Sequence, residues 1–269
     1  MSDFVLLKDA RDESRFGGKC ASLAKALQAG LPAPGGYALG VGIVARIAAG
    51  SKADCERVRP LFDELAPAMA VRSSAIGEDS NAASFAGMHL SVLNIMDIES
   101  LFEAIRDVHQ SAHTNEARAY RARMQVSGEP AIAVAIQKQI LSDMAGVMFT
   151  RNPLTGDTER YIEAGWGLGE AIVSGLIVPD TYRIATDGTV LERRAGEKDL
   201  LLVAHKDGNV MEQAVAEDKI EALCLGDAEL KQLHELANAC EKVYGAKLDI
   251  EWAFYQGQIY LLQCRGITR

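Results

Sequence analysis

Near the C-terminal end of the chain, Asp249 and Glu251 stand two residues apart in LDIEWAF, and Gln263 and Arg265 stand two apart in QIYLLQCR. Residues spaced by two on a β-strand share a face. A hairpin through Tyr255-Gln256-Gly257 therefore gathers two carboxylates, an amide oxygen and a guanidinium on one sheet surface. Such oxygen donors suit Mg2+, which keeps several waters and is usually shared with nucleotide phosphates, while an arginine grips a phosphate as a fork. The plainer alternative is an exposed sheet face with cross-strand pairs. Trp252, Phe254 and Leu261 speak against it, because they half-bury the hairpin and unpaired buried carboxylates are costly.

Two further segments have the composition to handle phosphate. Gly17-Gly18-Lys19 immediately precedes a helical stretch. There the glycines let backbone approach an anion, helix N–H groups point at it, and the lysine adds a full charge; a plain turn with a solvated lysine is the other reading. Residues 71–87, VRSSAIGEDSNAASFAG, open on Arg72 and continue in residues too small to pack as a core. They supply backbone N–H and hydroxyl donors, as a lid over polyphosphate would, or else form a long surface loop. A fourth segment, Gly165-Trp166-Gly167-Leu168-Gly169-Glu170, has G-x-G-x-G spacing but neither the full dinucleotide fingerprint nor the first strand of a βαβ unit. It reads as a Gly-rich strand-to-helix turn beside a cleft.

The elements that must hold these residues alternate along the chain. Residues 19–29 predict a helix with Leu23, Ala26 and Leu27 on one face and a stop at Gly30, followed by a short strand over Tyr37–Leu39. Residues 97–125 predict one or two long helices from the spacing of Ile98, Leu101, Phe102, Ile105 and Val108. After Ser127-Gly128-Glu129-Pro130 the pattern changes to strands over 131–140, 145–150, 159–164, 181–185 and 198–204. A helix over 227–243, with Leu230, Leu233, Leu236 and Val243 along one face, precedes the closing hairpin. The chain reads as α+β in two lobes with a cleft, residues 1–128 forming one and 129–269 the other.

Composition narrows the class. In 269 residues, 28 Lys and Arg face 37 Asp and Glu, a net charge of −9 with no cluster of basic residues, which argues against a nucleic-acid partner. Hydrophobic residues at 48% and charged residues at 24% suit a folded core and exclude general disorder. Every apolar run stops short of the roughly 20 residues that cross a bilayer, and the N-terminus lacks a signal pattern, which predicts a cytoplasmic protein without a membrane partner. The five cysteines are scattered without a C-x-x-C pair and read as reduced, mostly buried thiols.

Together the segments GGKCASLAKALQAGLPAPGGYAL, VRSSAIGEDSNAASFAG, VAIQKQILSDMAGVMFTRNPLTGD, EAGWGLGEAIVSGLIVPDTY and DIEWAFYQGQIYLLQCR occur in the order found in the phosphoenolpyruvate synthase and pyruvate phosphate dikinase family. The chain resembles that family's N-terminal ATP-binding domain. The resemblance implies an ATP-grasp fold with the nucleotide between two lobes, and Mg-ATP as its ligand. It implies that Lys19 and Arg72, with Ser73, Ser74 and Gly87 of the same loop segment, meet the phosphates. It also implies that Gln137, Lys138 and Gln139 line the adenine pocket, and that Asp249, Glu251, Gln263 and Arg265 hold Mg2+ and phosphate. The stretch between Leu39 and Val71 is shorter than the family's, Met88-His89-Leu90 follows SFAG where the family is more polar, and Gly266 stands where a proline is usual.

In that family the acceptor is a histidine in a Thr- and Gly-rich segment. None of His89, His109, His113, His205 and His234 lies in one. The expectation is a stand-alone ATP-binding subunit that forms AMP and phosphate while passing a phosphoryl group to a histidine on a partner chain, toward pyruvate or an antibiotic-like molecule. Two other readings are a self-sufficient small-molecule kinase or ATP-dependent activating enzyme, and a nucleotide-binding regulatory module without turnover.

Overall fold

Large and small apolar residues alternate in Ile132-Ala133-Val134-Ala135-Ile136-Gln137-Lys138, and that alternation builds the first sheet. In the computed structural model, which describes residues 2–77, 90–115, 117–119 and 130–267, this segment is a central strand. In chain order the elements before the first sheet closes are β1 (Phe4–Leu6), α1 (Glu13–Gln28), β2 (Gly36–Leu39), α2 (Val41–Ala48), α3 (Lys52–Leu65), β3 (Met69–Ala75), β4 (Ser91–Ile95), α4 (Ile98–Ser111) and β5 (Ile132–Lys138). The strands lie in the order β1-β2-β5-β3-β4, antiparallel throughout. Ile132, Val134 and Ile136 face a core shared with α2, α3 and α4, while Ala38 and Ala135, on the other face, let α1 approach closely.

The second sheet is built by β6 (Met144–Phe149), β7 (Glu159–Trp166), β8 (Asp180–Ala185), β9 (Val190–Arg194), β12 (Leu248–Tyr255) and β13 (Gln258–Gly266). Its order is β13-β12-β6-β7-β8-β9, again antiparallel. One face, with Met148, Ile162, Tyr182, Ile250 and Trp252, packs on a helix of Asp227–Tyr244 through Leu230, Leu233 and Leu236, the stripe expected from the sequence. That helix is α7; the short α5 (Glu170–Val173) and α6 (Glu217–Ile220) precede it. The closing turn is Gln256-Gly257, both at positive φ (50° and 75°), the conformation that matches strand twist in a two-residue hairpin.

α1 joins the sheets. Its Ser22 hydroxyl donates to the Cys264 carbonyl of β13 at 2.7 Å, and the Tyr244 hydroxyl of α7 donates to the Ser22 carbonyl at 2.7 Å. A separate ribbon, β10 (Leu200–Ala204) paired with β11 (Val210–Ala214), leaves the second sheet after β9. At its root Asp180 and Lys198, both fully buried, form an ion pair, and Asp180 also accepts the backbone N–H groups of Gly196 (2.8 Å) and Cys224 (2.7 Å).

The one or two helices expected over 97–125 begin with α4, which ends at Ser111; residues 115 and 117–119 are helical again, and 120–129 lie outside the described residues. The strand expected to open the second lobe, β5, instead pairs with β2 and β3, so the change of sheet falls after Lys138 and not at 128/129. The short stretch before Val71 holds two helices, α2 and α3, that its weaker periodicity did not announce. Among the described residues no helix is long and apolar enough to cross a membrane, and all five cysteines are free thiols, four of them buried.

The buried ion pair makes a stability prediction. Lys198→Met keeps the side-chain length but strands the Asp180 charge, and is expected to cost about 3–5 kcal/mol in urea unfolding. Asp180→Asn combined with Lys198→Met is expected to lose less than that single change.

Candidate functional site

β3 turns Ala70, Arg72 and Ser74 toward one side and Val71 and Ser73 toward the other, by strand alternation. Arg72 is buried and reaches across to the second sheet: one Nη donates to the Leu262 carbonyl at 2.7 Å, and the other lies 3.6 Å from a Glu251 carboxylate oxygen. The carbonyl is presented by a β-bulge. Glu251 pairs with Gln263 and Trp252 with Leu261, so Leu262 has no cross-strand partner and its backbone is re-aimed.

Ser74, two residues on, organises the glycine turn. Its hydroxyl donates to the Phe16 carbonyl (2.7 Å) and accepts the Cys20 N–H (3.0 Å). Gly17 breaks α1 at φ 77°, ψ 167°, and a Cβ there would stand 2.2 Å from the Ser74 carbonyl oxygen. Only glycine fits, and the helix restarts at Gly18-Lys19 with its first N–H groups at the turn, the arrangement that receives anions. Lys19 is 5% exposed. Ser73 does not join this side: its N–H donates to the Leu90 carbonyl and its hydroxyl, buried on the opposite face, has no hydrogen-bond partner among the described residues. Gly87 and most of the expected lid lie outside the described residues.

The hairpin gathers the expected quartet. Glu251 is paired with Gln263, and Asp249 with Arg265. Arg265 donates through Nε (2.9 Å) and Nη2 (2.8 Å) to one Asp249 oxygen, so its fork is occupied by a carboxylate. Burial pushes the Asp249 carboxyl above the usual range although Arg265 pulls the other way. Two further carboxylates extend this acidic row. Glu163 follows Val147 in the cross-strand row from Glu251, and burial raises its pKa. Glu170, in the first turn of α5, is close enough to Arg72 and Glu251 to feel both charges, and burial raises it as well. Sequence reasoning placed the Gly-rich turn beside the cleft but did not single out Glu163 or Glu170; the signal available was an acidic residue at each end of EAGWGLGE.

A pocket opens where the sheets meet. Ala70, Leu93, Gln137, Lys138, Gln139 and Ile140 form its wall on the first sheet, Leu168, Gly169, Glu170 and Leu262 the opposing wall, and Arg72 lies among them. Gln137 is buried and donates to the Pro34 carbonyl at 2.9 Å, Lys138 is exposed, and Gln139 is buried with its amide oxygen accepting the Asn94 N–H. The site thus has an apolar, amide-lined end, then Arg72 with Glu170 and Glu251, then the hairpin quartet. Along β3 the run from Ala70 to Ser74 is about 13 Å at roughly 3.3 Å per residue. Among the described residues no group of three or more His, Cys, Asp or Glu is arranged to hold a metal by itself.

Comparison with known proteins gives the class. The family described as "Pyruvate phosphate dikinase, AMP/ATP-binding domain" matches residues 51–269, and the chain belongs to it. The "Uncharacterized phosphotransferase YvkC" of Bacillus subtilis is 32% identical over 98% of this chain and 35% of its own length. The "Probable phosphoenolpyruvate synthase" of Archaeoglobus fulgidus is 40% identical over 74% of this chain and 27% of its own. The "Rifampicin phosphotransferase" of Bacillus subtilis is 33% identical over 75% and 23%. This chain therefore spans about a third or less of the curated relatives it matches.

The glycine turn can be tested by contrast. Gly30 also has positive φ (74°), but a Cβ added there would meet nothing within 4 Å, so Gly30→Ala reads backbone strain alone. Gly17→Ala is expected to lose more stability than Gly30→Ala, by about 1–3 kcal/mol in chemical unfolding. Equal losses would show that Ser74 moves aside without cost.

Proposed function

We propose that this chain is the ATP-binding part of a dikinase-type phosphotransferase, with an ATP-grasp arrangement that holds the nucleotide between its two sheets. The observation that carries the reading is the order of groups along one cleft: amides and apolar side chains, then a buried arginine, then paired carboxylates and an amide. A nucleotide has the same order of base, linker and polyphosphate.

In this reading Gln137 and Gln139 meet the base, and Glu170 faces the sugar or the nearest phosphate. Arg72 and the Gly18-Lys19 turn neutralise the phosphate chain. Such transfer depends mostly on positioning and electrostatic stabilisation, which fixed donors in a water-poor cleft supply well. Glu251 and Gln263, with Asp249 behind them, fit Mg2+: their donors are oxygens, few enough to leave sites for water and phosphate, and Asp249 is half-buried with its charge only partly balanced. When bound, the ion supplies charge neutralisation at the phosphoryl oxygens. Arg265 orients Asp249 through its two hydrogen bonds and favours its charged form against burial; in this reading it turns to phosphate when the cleft fills. No histidine lines the pocket among the described residues; His109 and His113 lie at the end of α4, His205 in the ribbon turn and His234 on α7. On this reading the acceptor histidine comes from another domain or chain, with AMP and phosphate as products.

³¹P NMR of the protein with Mg-ATP, alone and with a phosphohistidine-domain partner, tests this. AMP and phosphate are expected only with the partner; products formed without it would indicate a self-sufficient kinase, and no products in either case a binding module. Glu251→Gln is expected to lower turnover by about 100-fold or more while the fold persists, a loss typical of removing one charge-stabilising group. A pH dependence follows from the burial of Asp249, Glu163 and Glu170. Each raised carboxyl pKa adds stability below its unfolded value, and that stability is lost as pH rises through the folded value. As pH rises through those folded values the groups take on charge that the apo cleft balances poorly. Mg-ATP is therefore expected to raise Tm more at pH 7 than at pH 5, and a shift independent of pH would remove these carboxylates from the ion's site.

A further inference from the structure

The two walls of the pocket belong to different sheets, and besides Arg72, which reaches Leu262, the β10–β11 ribbon spans the gap between them. On the second-sheet side, the Leu168 N–H donates to the Leu202 carbonyl of β10 at 2.9 Å, and Gly167 forms a parallel bridge to Leu202. Gly167 has φ 73°, and a Cβ there would stand 2.5 Å from the same carbonyl, so the approach depends on glycine. On the first-sheet side, the Asn94 side-chain amide donates to two carbonyls of the ribbon turn, His205 at 2.6 Å and Asn209 at 2.8 Å.

Asn94 is built for this contact. It lies in a register shift of β4, where Met69 pairs with Ile95 and Val71 with Val92, so Leu93 and Asn94 together oppose Ala70. The bulge puts Asn94 at φ 59°, a left-handed conformation that asparagine tolerates better than most residues, and leaves it 2% exposed. Its own N–H donates to the amide oxygen of Gln139, a wall residue, and its neighbour Leu93 is another. One side chain thus ties the ribbon tip to the first-sheet wall, while three residues back along the ribbon Leu202 holds the other wall.

We propose that Asn94 is a positioning residue for the nucleotide base, and that it acts through the ribbon, which serves as the spacer setting the width of the base slot. The proposal rests on the reading of this pocket as a nucleotide site. A planar base gains most from a slot whose walls are held at one separation before it arrives, because binding then spends little on ordering them. The phosphate end, built on Arg72, Lys19 and the hairpin, is fixed by other contacts and does not need the ribbon.

Asn94→Gly separates the two roles of the residue, since glycine accepts the positive φ and loses only the side-chain bonds. Isothermal titration of the whole chain with Mg-ATP and, separately, with Mg-tripolyphosphate is the test. The variant is expected to bind Mg-ATP about tenfold more weakly, in line with the cost of ordering the freed walls on binding, and Mg-tripolyphosphate as the wild type does. With the phosphohistidine partner, KM for ATP rises while kcat stays within about threefold, the pattern of lost uniform binding. Equal weakening for both ligands would mean general damage, and no weakening for either would mean an idle ribbon; each overturns the proposal while leaving the nucleotide reading intact. A wild type that binds tripolyphosphate but gains nothing from the base would overturn the nucleotide reading and this proposal with it. Should Asn94→Gly not fold, hydrogen exchange on the wild type decides: Mg-ATP is expected to protect the amides of Leu168 and of residues 202–209, and unchanged exchange there contradicts the spacer.

Discussion

Arg72 is the interaction on which the site depends. Its guanidinium starts on the first sheet and ends on the second, with a carbonyl of the Leu262 bulge at 2.7 Å and Glu251 at 3.6 Å. A buried guanidinium needs every donor matched, and this one finds its partners only if the two sheets meet at the right height. The same residue then fixes the distance between the glycine turn, held by Ser74 two positions along β3, and the carboxylates of the hairpin. Loosening it would leave Glu251 and Glu170 as like charges facing each other in a poorly hydrated cleft.

On the proposed function, that arrangement is how an acidic chain with a net charge of −9 would meet polyphosphate. Arg72, Lys19 and helix-terminal N–H groups place positive potential locally, beside carboxylates whose burial makes their charge costly. Behind it the chain is held by ordinary means: two antiparallel sheets, one covered by helices on both faces, and a buried Asp180–Lys198 pair at the base of the ribbon.

Much of this is legible in residue order. Period-two spacing places Asp249, Glu251, Gln263 and Arg265 on one face, and the structure pairs them across the hairpin as that spacing requires. The stripe of Leu230, Leu233 and Leu236 gives α7, and the glycines before Lys19 mark the break in α1. Glu170 escapes because nothing local distinguishes an acidic helix start from a site residue; its meaning comes from Arg72, nearly a hundred positions earlier. The strand of residues 132–138 is evident from its alternation, but its sheet is not, since a strand's own sequence says which faces it buries and not which strands flank it.

The sequence by itself determined the periodicities, the glycines that bend the backbone and the family to which the chain belongs, because these are properties of short segments and their order. Tertiary structure alone decided that Ser73 turns away while Ser74 stitches the glycine turn, that Arg265 holds Asp249, and that Asn94 reaches the ribbon. The physical reason is the same in each case. Which way a side chain or carbonyl points depends on bulges such as those at Leu262 and Asn94, and the groups these then meet, Arg72 for the one and the His205 and Asn209 carbonyls for the other, lie more than a hundred residues away in the chain.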